Sequence, residues 1–302
     1  SVRTQIAYFV KQQVINAAVV DMVQRQYTPH VFLSCLVEGC IEKGKDITWG
    51  GSLWGATPIM YVGLATAANS LAAVKKVVYA DRWVNLRELT EALDNNFDGI
   101  RGRQIRELLM AAPKYGNDND FVDEIMTTMT NILFDVIGQH KDIDGRPYTS
   151  NVLTLGGTVP HGWKTGATAD GRTATTPVSD SMSAANGTDK EGPTAMLLSA
   201  SKIDQSRIAE GNVVNLKFAK MALEKEEDLK KMVAMVSTYF HDLEGQEVQI
   251  NVVDTAILRD AQEHPENYQD LIIRVAGYSA RFVELAPELQ DDIIRRTEHK
   301  SV

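Results

Sequence analysis

Apolar residues recur at spacings of three and four in 6–23, 86–93, 105–112 and 121–137, the period of an amphipathic helix. The first of these lies inside a longer helical pattern over 4–26 that has no obvious cap. The first 140 residues therefore predict a mostly helical stretch, interrupted by polar segments at 38–51 and 113–120. The run 59–74 carries no charge but includes Thr66, Asn69 and Ser70 and small residues around Gly63. It is too short and too polar to cross a bilayer and predicts a buried helix.

From 141 to 193 the texture changes to Gly, Thr, Ser, Asp and Pro. Loops of that length are uncommon in compact domains. This one retains Val152, Leu153, Leu155, Trp163 and Met182, which predicts an ordered, packed loop system. After Thr194 come short β-rich runs at 196–200, 213–218 and 248–253, and a further apolar run at 271–275. Helical patterns at 226–240 and 255–263 separate the later runs, the alternation of parallel strands with crossover helices. A final helix over 287–297 has Pro287 at its start, and Arg295 and Arg296 in its last turn, where cations suit the helix dipole.

Composition changes this picture little. The 302 residues are 44% hydrophobic and 24% charged, those of a globular chain rather than a disordered or fibrous one. A formal charge of −9 argues against nucleic acid or an anionic membrane as partner. Cys35 and Cys40 are too few and too close for a disulfide framework, so a reducing cytoplasm is expected. The chain opens without Met or a basic leader, directly into a helical pattern, as a chain entered in the middle would. Its first helix is expected to pack against an upstream partner.

The sharpest motif is Arg274-Val275-Ala276-Gly277-Tyr278-Ser279-Ala280, between a strand-like run and Phe282-Val283-Glu284-Leu285. An isolated glycine there would be a turn residue. With Gln290-Asp291-Asp292-Ile293-Ile294-Arg295-Arg296-Thr297 behind it, the segment resembles the C-terminal motif of the pyruvate formate-lyase-like glycyl radical enzymes. Gly166-Ala167-Thr168-Ala169-Asp170-Gly171-Arg172 is similar to that family's Gly-Ala-Thr-Pro-Asp-Gly-Arg segment, with Ala169 in place of Pro. Gly187-Thr188-Asp189 with Gly192-Pro193-Thr194-Ala195, and Gln249-Ile250-Asn251-Val252-Val253, resemble two further blocks in the family's order. Read without the resemblance, Asp170-Gly171 is a turn dipeptide, Asp189 a turn cap and Asn251 a backbone hydrogen-bonding side chain, and all three are taken as mainly structural.

The resemblance implies an α/β fold, the C-terminal part of a ten-stranded barrel with surrounding helices. Residues 1–193 would form its helical and long-loop part, and 194–302 its strands and glycine radical domain. It implies a radical stored on Gly277, on a loop buried in the working enzyme and exposed for activation. A radical S-adenosylmethionine activase with an iron-sulfur cluster would install it, and no other cofactor would be bound. A glycyl radical needs a planar, uncrowded Cα between a donating amide nitrogen and a withdrawing carbonyl, which only glycine offers. The radical then passes through a cysteine thiyl to a small-molecule substrate. The lyase or dehydratase branch is favoured. An arylacetate decarboxylase, X-succinate synthase or formate acetyltransferase of the same family remains an alternative, as does a non-catalytic radical subunit or spare part complementing a cysteine-bearing chain. A homo-oligomer is expected.

Gly39-Cys40-Ile41-Glu42 imitates the family's Gly-Cys-Val-Glu catalytic loop, so Cys40 is the thiyl candidate within this sequence. Its surroundings match a segment downstream of that loop, and Lys43 replaces the family's Pro. Packing is therefore the favoured role for Cys40 and, more so, for Cys35, and the working thiol is expected upstream. Gly39, Gly44 and Lys45 have phosphate-loop spacing, but Asp46 stands where a hydroxyl is required and no strand precedes them. No histidines or cysteines pair at metal-ligand spacing. His161, in the loop Pro160-His161-Gly162-Trp163, is a candidate for proton transfer.

Overall fold

The computed structural model describes residues 1–302. Seven strands are present: β1 (Thr57–Met60), β2 (Tyr148–Asn151), β3 (Val214–Phe218), β4 (Val248–Val252), β5 (Ile272–Arg274), β6 (Ser279–Arg281) and β7 (Glu298–His299). Ten α-helices of six or more residues are α1 (Val2–Tyr27), α2 (Leu64–Ala73), α3 (Leu86–Asp94), α4 (Gly99–Ala111), α5 (Asp120–Ile137), α6 (Thr158–Trp163), α7 (Pro193–Ser201), α8 (Glu226–His241), α9 (Thr255–Glu263) and α10 (Pro287–Arg295), and a π-helical stretch, Val74–Ala80, continues α2. No helix is long and apolar enough to cross a membrane.

Packing divides the chain into two units, the first comprising 1–60, 130–151 and 206–210 and the second 61–129, 152–205 and 211–302. In the first, β1 and β2 pair in parallel. Helix α1 is capped after all, the Ser1 hydroxyl accepting from the Thr4 amide at 3.4 Å. Its apolar residues are spread around the axis, so only Val10 is buried, while Tyr8, Phe9, Val19, Val20 and Met22 face solvent. Gly39 and Gly44, both at positive φ, bracket a single helical turn, Cys40–Lys43, which is no platform for a phosphate.

In the second unit β4, β3 and β7 form a parallel sheet in that order, as the alternation of strands with α8 and α9 predicts. The sheet is unusual in what it buries. In β4 the polar Gln249 and Asn251 are buried, whereas Val252 is exposed. Register sets Gln249 beside Asn215, and Asn251 beside Lys217. A strand's period of two makes these a common face, and that face is lined with amides and an ammonium.

Three expectations need correction. The run 196–200 is helical, inside α7, because Pro193 supplies the preset φ of a first helical position and the Ala, Leu, Met and Ser that follow contain no β-branched residue. The run 59–74 divides at Gly63, whose φ of +86° ends the strand segment and starts α2. The run 271–275 is a strand but not a parallel one: β5 turns back at once on β6 as an antiparallel hairpin. The long polar segment is ordered, with Ser179, Asp180, Ser181, Met182 and Ser183 all buried.

Candidate functional site

The β5–β6 hairpin places Gly277 at its turn. Arg274 pairs with Ser279 across it, and the Val275 amide donates to the Tyr278 carbonyl at 2.8 Å. The hairpin is anchored by Ile273, Val275 and Phe282, which are buried with Leu258, Ala261, Ile293 and Ile294 in one apolar cluster. Full burial of side chains of this size stabilises by about 1.5–3 kcal/mol each. Two residues beyond Val275 the chain emerges, and Gly277 is exposed in this chain. Its φ is +77°, in the left-handed region that glycine adopts without steric cost. A Cβ built there would meet one atom, Leu155 Cδ2 at 2.9 Å.

Polar groups fix the base of this turn. Asn251 of β4 accepts from the Arg274 amide at 2.9 Å and donates to the Arg274 carbonyl at 2.7 Å, so one side-chain amide replaces a ladder rung between β4 and β5. Arg296, just past α10, donates from Nη1 to the Val275 carbonyl at 2.8 Å. Its Nη2 pairs at 3.1 Å with Asp180 Oδ2, and both side chains are at least nine-tenths buried. Asp180 also accepts from Asn215 Nδ2 at 2.7 Å, from Ser181 Oγ at 2.9 Å and from the Thr154 hydroxyl.

Thr154 precedes the loop that lies over the glycine. Leu155 in that loop has φ +47° and Ser181 φ +45°, backbone conformations that side chains rarely adopt and that persist only where surroundings impose them. Beyond it, Gly156 lies beside Tyr278, since a Cβ there would be 3.5 Å from the tyrosine hydroxyl. Below α10, Lys217 is buried and donates from Nζ to the Ile294 carbonyl at 2.9 Å and to Thr255 Oγ1 at 3.2 Å. Burial pushes its pKa down to about 8. Asp292 is buried too, held by Asn186 Nδ2 at 2.8 Å, and burial raises its pKa.

The remaining candidates separate cleanly. In the loop 166–172, Arg172 donates to the Thr173 carbonyl at 3.0 Å, the Thr176 carbonyl at 2.6 Å, the Thr165 carbonyl at 3.2 Å and the Gly166 carbonyl, while Asp170 accepts from Thr168 Oγ1 at 2.5 Å. Arg106 Nε donates to the Gly171 carbonyl at 2.8 Å and Lys114 Nζ to the Asp170 carbonyl at 3.2 Å, so Asp170 and Gly171 form a turn, as the structural reading predicts, tied to the α4 region beside it. It borders a cavity of ≈ 960 Å³, where burial lowers the pKa of Lys114 to about 8. Asp189 caps no turn and instead accepts from Thr297 Oγ1.

His161 is exposed on the short helix α6. Cys40 is buried in the first unit, whereas Gly277 belongs to the second. Cys35 is exposed, contrary to the packing role expected of it, because its helix is a single turn, Val31–Ser34, that buries only Ser34. No group of three or more His, Cys, Asp or Glu side chains is placed to hold a metal ion. The inward turn of Arg296 is also a correction. Arg295 keeps the expected place in the last turn of α10, donating to the Asp291 carbonyl at 3.2 Å, and Lys217 of β3 donates to the Ile294 carbonyl, while Arg296 serves the glycine turn.

The chain thus presents Gly277 at positive φ on an exposed hairpin turn whose base is braced by Asn251 and Arg296. The family description "Pyruvate formate lyase-like" matches residues 1–162, and "Glycine radical" matches 178–283. The chain belongs to the pyruvate formate-lyase-like glycyl radical family. It is 39% identical over 303 residues to the probable dehydratase YbiW of Escherichia coli, covering 98% of this chain and 37% of that protein. It is 36% identical to trans-4-hydroxy-L-proline dehydratase of Clostridioides difficile, again over 98% of this chain and 37% of the relative. The glycerol-bound B12-independent glycerol dehydratase of Clostridium butyricum superposes with a TM-score of 0.94 at 38% identity, covering 99% of this chain and 38% of that one. The chain thus has the family's barrel fold over its length, and spans under two-fifths of the length of these relatives.

Proposed function

We propose that this chain is the radical-bearing part of a glycyl radical lyase or dehydratase and that Gly277 stores the radical. The φ of +77° by itself favours glycine here, so the observation that carries this reading is that the motif 274–280, in the segment matching the glycine radical family, folds as an exposed turn braced from both sides by Asn251 and Arg296. The dehydratase relatives, and the isethionate sulfite-lyase of Oleidesulfovibrio alaskensis, 39% identical over 251 residues, support the lyase branch.

In this reading a radical S-adenosylmethionine activase removes one Cα hydrogen atom from Gly277. The glycyl radical then takes the hydrogen atom of a cysteine thiol, and the resulting thiyl takes one from a small-molecule substrate. After elimination the product radical recovers the hydrogen from the thiol, and the thiyl recovers one from Gly277, so hydrogen atoms balance over a turnover. The thiol comes from a cysteine-bearing upstream region or chain, because the surroundings of Cys40 match a segment downstream of the family's catalytic loop and Lys43 stands in place of its Pro. The complete enzyme is a cytoplasmic homo-oligomer. Anaerobic incubation of the full protein with its activase, followed by electron paramagnetic resonance, tests the assignment. A doublet is expected that vanishes in Gly277→Ala, with cleavage at residue 277 on exposure to air. A signal that persists in the Ala variant would overturn it.

A further inference from the structure

Asp180 stands where two loops meet. Through Oδ2 it holds Arg296, whose other guanidinium nitrogen holds the Val275 carbonyl two residues before Gly277. Through Oδ1 it holds the hydroxyl of Thr154, the residue before Leu155, whose side chain lies closest to the Gly277 Cα substituent position. Asn215 of the central strand fixes the carboxylate from a third direction. The two non-glycine residues at positive φ in this neighbourhood, Leu155 and Ser181, are adjacent to Thr154 and to Asp180. The strained backbone on both sides is therefore tied to one buried carboxylate, the kind of over-determined arrangement that maintains unfavourable φ values.

We propose that Asp180 is a positioning residue shared by the loop carrying Gly277 and the loop of Leu155 beside it, so that loss of its carboxylate loosens both together. Arg296 is its arm to the glycine turn and Thr154 its arm to the Leu155 loop. The bearing of this coupling on catalysis rests on Gly277 being the radical site, but the coupling itself does not.

Amide hydrogen exchange on the unactivated full protein separates the two questions. Arg296→Lys shortens one arm and is expected to speed exchange at least tenfold over 275–279 alone. Thr154→Val should do so over 154–157 alone, and Asp180→Asn over both. Lys202→Met, which breaks an ion cluster with Asp118, Asp120 and Asp123 elsewhere in the same unit, should leave both segments unchanged. The proposal is overturned if Asp180→Asn loosens one segment or neither, or if Lys202→Met loosens both. Should Asp180→Asn not fold, Asp180→Glu, which keeps the charge but displaces the carboxylate from both arms, replaces it, with the same outcomes. After activation, the radical in Asp180→Asn is expected to decay at least tenfold faster under anaerobic conditions, and an unchanged lifetime would sink the functional half. Coupled loosening together with no radical in the unsubstituted protein would leave the coupling standing and overturn the reading of Gly277.

Discussion

Gly171 and Gly277 are both glycines at positive φ in polar turns, each served by an arginine, and they differ in almost everything else. A Cβ at Gly171 would stand 2.4 Å from Met110 Cγ in a buried site, whereas one at Gly277 would touch the end of a single leucine on an exposed turn. Arg172 bonds carbonyls one to seven residues away within its own loop, plus the hydroxyl of Thr168. Arg296 reaches 21 residues back to Val275 and 116 back to Asp180. The first turn is glycine for reasons of space, and its guanidinium closes on its own loop while Arg106 and Lys114 donate to the Gly171 and Asp170 carbonyls at 2.8 and 3.2 Å. The second meets only the flexible end of Leu155, and its guanidinium ties it to a distant carboxylate.

The largest test of that contrast is on activity. Gly277→Ala should abolish turnover and the radical signal while remaining folded, losing only about 1–2 kcal/mol to the left-handed backbone. Gly171→Ala should keep some activity but lose about 2–5 kcal/mol in urea unfolding, the sum of the backbone term and overpacking against Met110. Comparable stability losses in the two variants would erase the distinction. Next comes Arg296→Met, which strands a buried carboxylate and is expected to cost about 3–5 kcal/mol. Arg172→Met, in a half-exposed loop where water replaces lost partners, should cost about 1–2 kcal/mol and leave exchange over 275–279 untouched.

The smallest effect concerns Lys217, the neighbour of Asn251 in register. Its pKa is about 8 when folded, below its ordinary value of 10.5, so between those values the unfolded chain binds the extra proton. Stability contributed through this group therefore rises with pH from about 8 to 10.5, and below 8 its buried charge weighs against folding. Lys217→Met should flatten that rise in unfolding curves measured between pH 8 and 10, before buried Tyr115 and Tyr239, whose pKa values are raised, begin to oppose it. A slope unchanged by the substitution would assign the rise to other groups, Lys114 first.

Much of the frame was legible in the sequence because it is local. Periodicity located α1, α3, α4, α5, α8 and α9, and the runs 213–218 and 248–253 became β3 and β4. Alternation of strand and helix gave their parallel pairing. The glycine motif and the Asp170-Gly171 turn were visible for the same reason. What stayed hidden depends on distant partners. Nothing near Asp180 in sequence marks it as the residue between Thr154 and Arg296, and Arg296 sits where a surface cation completing a helix would also sit. Asn215 and Lys217 did leave a signal. They alternate with Val214, Leu216 and Phe218, which ordinarily marks a solvent face, yet here the polar row is buried against Asp180 and the end of α10.

That buried polar row has a further consequence, for assembly rather than catalysis. An oily sheet face tolerates sliding, because one aliphatic contact is much like another. Here a slip of β4 by one residue along β3 would turn Gln249 and Asn251 to the opposite side and carry away the amide that grips both backbone groups of Arg274. The misaligned sheet would leave the backbone groups of Arg274 without their side-chain partner, and each buried polar group left unpaired costs about 1–3 kcal/mol. The strands thus act as a keyed lock: only the correct register lets Asn251 grip the glycine hairpin, so the alignment of β4 on β3 sets the hairpin's height above the sheet.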